Sequence, residues 1–188
     1  AATVNRSIDQ SLEPRLRVTD LWGLGMNDVS LEVRPGEVLG VAGLTGSGRD
    51  TLIPMLSGAM ERLGDVSIDG VTIRAGKPSV AIAAGLAFVP ADRLRNGIIS
   101  MMSVRSNTTI ANVSRNKTGL RLNHKKERAE TQDWISQLSV VTTSSEAPIS
   151  TLSGGNQQKV MMARSFRLHP KVLLLDEQTQ GVDIGANE

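Results

Sequence analysis

Two segments near the end of the chain constrain its fold more than any other feature. Residues 152–160 are Leu-Ser-Gly-Gly-Asn-Gln-Gln-Lys-Val, and residues 172–177 are Val-Leu-Leu-Leu-Asp-Glu. The first predicts a loop that opens into a helix, where glycines admit a ligand closely and the first-turn N–H groups point at it, as suits a phosphate. The second predicts an apolar strand that ends in two carboxylates, which suits metal-assisted phosphoryl transfer.

A glycine-rich loop earlier in the chain has the spacing of a phosphate-binding loop. Residues 43–50 are Gly-Leu-Thr-Gly-Ser-Gly-Arg-Asp. The apolar run 38–42 predicts a strand buried on both faces before the loop, and residues 51–56 predict the start of a helix after it. This context matches the form G-x-x-x-x-G-K-[ST]. The candidate phosphate-binding residues are Gly43, Thr45, Gly46, Ser47, Gly48, Arg49, Asp50 and Thr51.

The last two positions of this loop depart from that form. Arg49 replaces the lysine, and its planar fork is bulkier than a compact ammonium group. Asp50 replaces the hydroxyl residue that binds magnesium, and its charge repels a triphosphate unless a metal ion lies between them. Thr51 carries a hydroxyl one position late, where the helix should direct it elsewhere. A glycine-rich turn without a ligand is the alternative interpretation.

Composition excludes several classes of protein. The chain has 188 residues, no cysteine and a net charge of +2, so disulfides and thiolate metal sites are absent and a nucleic-acid partner is not expected. No apolar run reaches the ~18 residues that span a bilayer. Alternating strands are predicted at 15–20 and 29–33, a hairpin at 66–73, and buried strands at 86–89 and 172–175. Helices are predicted at 79–84, 106–113, 124–138 and 160–168.

In this order, the two opening segments resemble the signature loop and the Walker B strand of the ATP-binding-cassette (ABC) ATPases. The Asn-Gln-Gln-Lys form is most similar to the second nucleotide-binding domain of the fused ATPase subunits of bacterial sugar importers. Residues 89–93, Val-Pro-Ala-Asp-Arg, resemble the family's Gln-loop region, although Ala91 lacks a polar side chain. Residues 181–183 match its D-loop, although Gln178 and Gln180 replace the usual proline and arginine.

The resemblance implies an α/β fold: a P-loop NTPase (RecA-like) core of the ABC ATPase type, with an antiparallel β subdomain and an inserted α-helical subdomain at about 93–155. Residues 1–14 are expected to be a linker, and residues 15–188 a nucleotide-binding domain. The family's switch histidine and last core strand would lie beyond Glu188, so we expect this domain to be incomplete at its C-terminus.

The resemblance also implies the cofactors ATP and Mg²⁺ and roles for individual residues. Glu177 would polarise the attacking water, and Asp176 would orient Mg²⁺, with Asp50 as a second candidate metal ligand. Residues implied to contact ATP from the signature side are Ser153, Gly154, Gly155 and Gln157. A strand end with solvated acids is the alternative for the acidic pair. Trp22 is the aromatic residue near the first strand, and it either stacks on adenine or packs in the core.

The implied function is that of the ATP-binding component of a carbohydrate importer, at the cytoplasmic face of the membrane. Its partners would be a second nucleotide-binding domain paired head to tail, transmembrane permease subunits and, indirectly, a periplasmic or surface sugar-binding protein. Its degenerate phosphate loop would bind ATP weakly or hold it without turnover, while its intact signature would serve the partner's nucleotide. One alternative is an inactive interaction module that only docks to its partner. Another is a soluble ABC ATPase of translation or repair.

Overall fold

The computed structural model describes residues 9, 11–44, 46–118 and 121–176. They form two compact units, the first ending at Leu86 and the second beginning at Ala87. The first contains, in chain order, β1 (Leu16–Gly23), β2 (Met26–Val33), α1 (Arg49–Leu56), β3 (Leu63–Ile68), β4 (Val71–Thr72) and α2 (Pro78–Ala84).

The first unit is built on an antiparallel sheet in the order β2-β1-β3-β4. Alternating residues of β1 place Leu16 and Val18 in the core, at 2% and 1% exposure. An irregularity between Val18 and Leu21 shifts the register so that Leu21 is also buried. The strands and the hairpin predicted from alternation are thus confirmed, because one face of this sheet is covered and selects the apolar positions.

The prediction of a buried strand at 38–42 is wrong. Residues 37–44 form neither strand nor helix, and Val38 is 94% exposed. Burial of a strand on both faces requires a paired neighbour and covering layers, and none of the described strands pairs with this segment. The glycine-rich loop therefore follows an exposed segment without regular secondary structure, and the predicted helix follows the loop as α1.

The second unit is mainly helical and carries the signature segment. In chain order it contains β5 (Leu86–Val89), a π-helical turn (Arg93–Gly97), α3 (Val104–Thr109), a 3-10 segment (Ile110–Asn116), β6 (Lys117–Thr118), β7 (Arg121–Leu122), α4 (His124–Gln137), a 3-10 turn (Ile149–Thr151), α5 (Gly154–Phe166) and β8 (Val172–Leu175). β5 pairs with β8, so the predicted apolar strands are confirmed. The predicted helix at 106–113 instead begins at Val104 and changes to 3-10 geometry after Thr109.

The inner face of α4 is more polar than its sequence suggests. Glu127 and Thr131 are 3% and 0% exposed, whereas Ala129 is exposed. Glu127 pairs with Arg105 and accepts a hydrogen bond from the Thr109 hydroxyl. A buried carboxylate with partners is tolerated in a core, but hydrophobic periodicity cannot identify it.

A second carboxylate of this network, Glu146, should make the fold sensitive to acid. Arg105 donates from Nε and Nη2 to Glu146, at 2.8 and 3.1 Å, and with Arg128 it lowers the pKa of Glu146 from 4.5 to about 2. Because the folded pKa is the lower one, this contribution is complete above pH 4.5 and is lost as the pH falls towards 2. We expect the Tm of wild type to exceed that of Glu146→Gln by a constant amount above pH ~5. This difference should shrink as the pH falls from 4.5 towards 2.

Candidate functional site

The signature loop, residues 152–155, is anchored at one end and open at the other. Leu152 lies in the hydrophobic core of the second unit and is 8% exposed. Ser153 is the exposed N-cap residue of α5, and its side chain makes no capping hydrogen bond. A Cβ added to Gly155 would meet nothing within 4 Å. The Ser153 hydroxyl and the first turn of α5 are therefore accessible, as an anion site requires.

At Gly154, unlike Gly155, the space beside the backbone is occupied. A Cβ added there would lie 2.8 Å from Nη2 and 3.2 Å from Cζ of Arg93, so the arginine occupies the space of the missing side chain. Arg93 belongs to the π-helical turn and donates from Nε to Gln157 Oε1 at 3.2 Å. This places a cation beside the first turn of α5. The sequence marked the Pro-Ala-Asp-Arg segment but could not show that its arginine meets a motif 64 residues later.

Gln157 lies beneath the loop rather than on its open face. It is 7% exposed, and its Nε2 donates to the carbonyls of Ile149 at 3.3 Å and Leu152 at 3.0 Å. With Arg93 on its oxygen, the amide is fully engaged within the chain. Its predicted contact with nucleotide stays a prediction, and the observed geometry makes it a support for the loop.

The same side of α5 continues along the π-helical turn. The Met161 side chain lies where a Cβ on Gly97 would be, at 2.7 Å, and Arg164 donates to the Gly97 carbonyl. Gln157, Met161 and Arg164 are spaced four and three residues apart, so they share one helix face. The signature helix and the 93–97 segment are thus held together over two helical turns.

The phosphate loop lies in the first unit and is largely exposed. Gly46 and Gly48 have φ angles of 83° and 89°, a left-handed conformation that glycine adopts without strain. The Ser47 N–H donates to the Leu44 carbonyl at 3.0 Å and closes a turn. The Ser47 hydroxyl oxygen lies 2.6 Å from the position of a Cβ on Gly43, so a side chain at residue 43 would require this hydroxyl to rotate away. Thr45 lies outside the described residues.

The two irregular residues of this loop pair with each other. Arg49 donates from Nε and Nη2 to Asp50 Oδ1, at 3.1 and 3.0 Å. The Arg49 side chain is 30% exposed and that of Asp50 is 57% exposed, so the pair lies at the surface at the start of α1. The charge that would attract phosphate is balanced by the charge of the next residue.

The Thr51 hydroxyl is engaged by backbone carbonyls, as its late position in the loop sequence predicts. It donates either to the Leu24 carbonyl, at 2.8 Å, or to the Gly48 carbonyl, at 2.7 Å. Both oxygens belong to the backbone at the β1–β2 turn and the helix start. The hydroxyl therefore connects α1 to the sheet and is not oriented as a metal ligand.

Gly48 is required by close packing as well as by its φ angle. A Cβ there would lie 2.2 Å from the Gly25 carbonyl oxygen, a backbone atom that cannot move aside alone. We expect Gly48→Ala to lower the free energy of unfolding by more than the ~1–2 kcal/mol that a left-handed alanine costs by itself. Urea denaturation of the purified chain measures this difference.

Gly36→Ala is the matched control for that substitution. Gly36 has a φ angle of 78°, but a Cβ there would meet nothing within 4 Å. It should lose only the ~1–2 kcal/mol of the conformational term. Equal losses in the two variants would show that the contact with Gly25 has no energetic weight.

The candidate metal ligands fit magnesium unequally. Asp176 is partly buried directly after β8, where its N–H donates to the Val89 carbonyl at 3.1 Å. Asp50 is engaged by Arg49, so this phosphate loop does not fit a magnesium ion well. No cluster of three or more metal-binding side chains occurs in the part of the chain that the structure describes. The predicted catalytic residue Glu177, together with 178–183, lies outside that part.

Trp22 is a surface residue of β1, at 45% exposure and paired across the sheet with Leu63. Its ring is therefore available to a ligand, and core packing does not account for it.

Of the helices among the described residues, none combines the length and the apolar character needed to cross a bilayer.

Comparisons with known proteins agree with these motifs. The family model described as ABC transporter matches residues 26–180, more than half of the chain. The dimeric structure of a post-hydrolysis state of the ATP-binding cassette MJ0796, bound to ADP and Pi, has a TM-score of 0.73 at 18% identity, covering 90% of this chain and 76% of that one.

A second solved structure is similar to the same extent. It is cbiO1 from Clostridium perfringens, part of the ABC transporter complex cbiONQ, with a TM-score of 0.71 at 22% identity, covering 90% of this chain and 68% of that one. Both likenesses confirm the mixed α/β fold of an ABC ATPase, with its antiparallel sheet and its helical part. On the family match, the chain belongs to the ABC transporter family, as an ATP-binding-cassette ATPase domain.

Proposed function

We propose that this chain is the ATP-binding component of a carbohydrate importer and works as the unequal half of a head-to-tail pair. Its signature loop completes the nucleotide site of a partner domain, whose own Walker B carboxylate performs the chemistry. Its own phosphate loop binds ATP weakly. The contrast between an ordered, open signature and a phosphate loop whose cation is neutralised by Asp50 carries this proposal.

The signature side supports a binding role because every part of it is held in place. Leu152 is in the core, Gln157 supports the loop from below and Arg93 fills the space beside Gly154. The open face retains the Ser153 hydroxyl and the helix N-terminus. Preorganised donors of this kind bind phosphate without reorganising when the ligand arrives.

The carbohydrate assignment, the permease partners and the peripheral position at the cytoplasmic face rest on the form of the motifs. Asn-Gln-Gln-Lys at 156–159 and Pro-Ala-Asp-Arg at 90–93 resemble sugar importers more than other ABC ATPases. Residues of the two motifs are in contact, since Arg93 of the second donates a hydrogen bond to Gln157 of the first. A sugar-binding protein would act indirectly, through the permease.

Restoring the phosphate loop should restore nucleotide binding. In the double variant Arg49→Lys/Asp50→Thr, the ion pair is lost and a compact ammonium faces the triphosphate without a neighbouring carboxylate. Removing one like charge ~4 Å from phosphate is worth ~1–4 kcal/mol, so affinity for a fluorescent ATP analogue with Mg²⁺ should rise about fivefold or more. Titration of wild type and variant measures this change.

Arg49→Lys alone is the control, since it keeps Asp50 beside the cation and should gain little. Tight magnesium-dependent binding by wild type, equal to that of the double variant, would show that Asp50 is tolerated. Steady ATP hydrolysis by this chain alone, abolished by Glu177→Gln, would contradict the unequal pair.

The Arg49–Asp50 pair also favours a second candidate, a module that docks to its partner without taking part in catalysis. Such a module has no need of a free cation in its phosphate loop. The ordered, open signature counts against this candidate, because a module that only docks does not need one. Substitution of Ser153 separates the two functions, because only the composite site depends on that hydroxyl.

A further inference from the structure

We infer that Asn156 is a positioning residue, which fixes the direction of the Ser153 hydroxyl so that its proton faces outward. This inference rests on the proposed function, in which Ser153 contacts a phosphate held by the partner domain. Asn156 itself need not touch the nucleotide. It acts through two hydrogen bonds, one to Ser153 Oγ and one to the backbone of Val141.

The first step is the orientation of the amide. The Val141 N–H lies 2.8 Å from Asn156 Oδ1. A backbone N–H can only donate, so the amide oxygen must face Val141 and the NH₂ group must face Ser153. Asn156 Nδ2 therefore donates to Ser153 Oγ, at 2.9 Å, and the serine oxygen accepts.

The second step concerns what remains of the serine hydroxyl. An N-cap serine usually accepts a hydrogen bond from an N–H of the first helical turn. Ser153 makes no such bond, and the described residues offer its proton no acceptor. Because one lone pair of Oγ is engaged inward, the proton is left for a ligand. Phosphate oxygens only accept, so a hydroxyl held in this state donates to them without rearranging.

The third step is the stiffness of the support. One helical turn after Asn156, Lys159 Nζ donates to the Ser139 carbonyl at 2.9 Å. Asn156 and Lys159 are three residues apart on α5, so both form hydrogen bonds with the backbone of 139–141 from the same helix face. The donor to Ser153 is thus attached to backbone at two points. This arrangement makes the direction of the hydroxyl a property of the fold.

Asn156→Asp reverses one hydrogen bond while keeping the shape. A carboxylate still accepts from the Val141 N–H, but it cannot donate to Ser153 and instead accepts the serine proton. Oγ then presents lone pairs to the phosphate. In the transporter assembled from the full chain and its partners, MgATP hydrolysis should fall about tenfold or more, the cost of losing a hydrogen bond to a charged group.

Two controls separate the effect of hydrogen-bond direction from that of the added negative charge and from that of unfolding. Gln158→Glu adds the same charge two residues later on α5 and should cause a much smaller loss. Thermal unfolding reports whether the Asn156→Asp chain is folded; if it is not, Asn156→Ala takes its place in the same measurements. Unchanged hydrolysis in a folded Asn156→Asp variant would overturn the inference.

A double-mutant cycle with Ser153→Ala decides the mechanism. If Asn156 acts through the hydroxyl, Asn156→Asp should cause no further loss once the hydroxyl is gone. Additive losses would overturn the inference and leave the proposed function in place. Wild-type hydrolysis in Ser153→Ala would overturn the proposed function itself, and the inference with it.

Discussion

Replacing Ser153 with arginine should abolish ATP-driven transport in the assembled transporter. The residue lies exposed at the start of α5, next to the open position of Gly155. A long side chain there fills the space that a phosphate of the partner's nucleotide would occupy and removes the hydroxyl donor. The phosphate then loses the bond from the serine hydroxyl and, because its space is filled, one from an N–H of the first turn of α5. Two charge-assisted hydrogen bonds of ~1.5–3 kcal/mol each correspond to at least a 100-fold drop in hydrolysis by the pair.

Ser79→Arg is the matched control for this substitution. Ser79 is exposed in the first turn of α2, so the variant makes the same change at another helix N-terminus and has the same unfavourable interaction with the helix dipole. It should transport normally. Normal transport by a correctly folded Ser153→Arg transporter would favour the docking module over the composite site.

The signature illustrates how far sequence alone predicts a site. Its loop and the helix that follows were predicted from local spacing, because glycines and a helical period act over a few residues. The role of Ser153 was implied by the family resemblance. Arg93 and the bridging role of Asn156 were not predicted, since their partners at Gly154 and Val141 are set by tertiary packing. Local patterns predict which segment binds, and distant contacts decide which side chains support it.

The fold divides in the same way. β1, β2 and the β3–β4 hairpin were predicted because alternation selects one buried face. The strand predicted at 38–42 was wrong, because an apolar run does not show whether neighbouring strands exist to pair with it. Glu127, the buried acid of α4, was missed since a charged residue usually indicates an exposed position.

A second buried charge on the helical unit should dominate its stability. The Arg167 side chain is 0% exposed, with Nε 3.0 Å from Glu130 Oε2. The contact is an ion pair by distance but is not aligned as a hydrogen bond. Arg167 Nη1 donates instead to the carbonyls of Thr109 and Asn112, at 3.3 and 3.0 Å. The positive charge therefore depends on Glu130 for its balance.

Glu130→Gln should lower the free energy of unfolding by ~3–5 kcal/mol, because it leaves a buried guanidinium without a counter-charge. Arg128→Gln, two positions away on α4, breaks an exposed pair and should cost no more than ~1 kcal/mol. The double variant Glu130→Leu/Arg167→Met removes both charges and should recover most of the loss. Urea denaturation compares the three variants. A loss in Glu130→Gln no larger than that in Arg128→Gln would show that the Arg167 charge is balanced without Glu130.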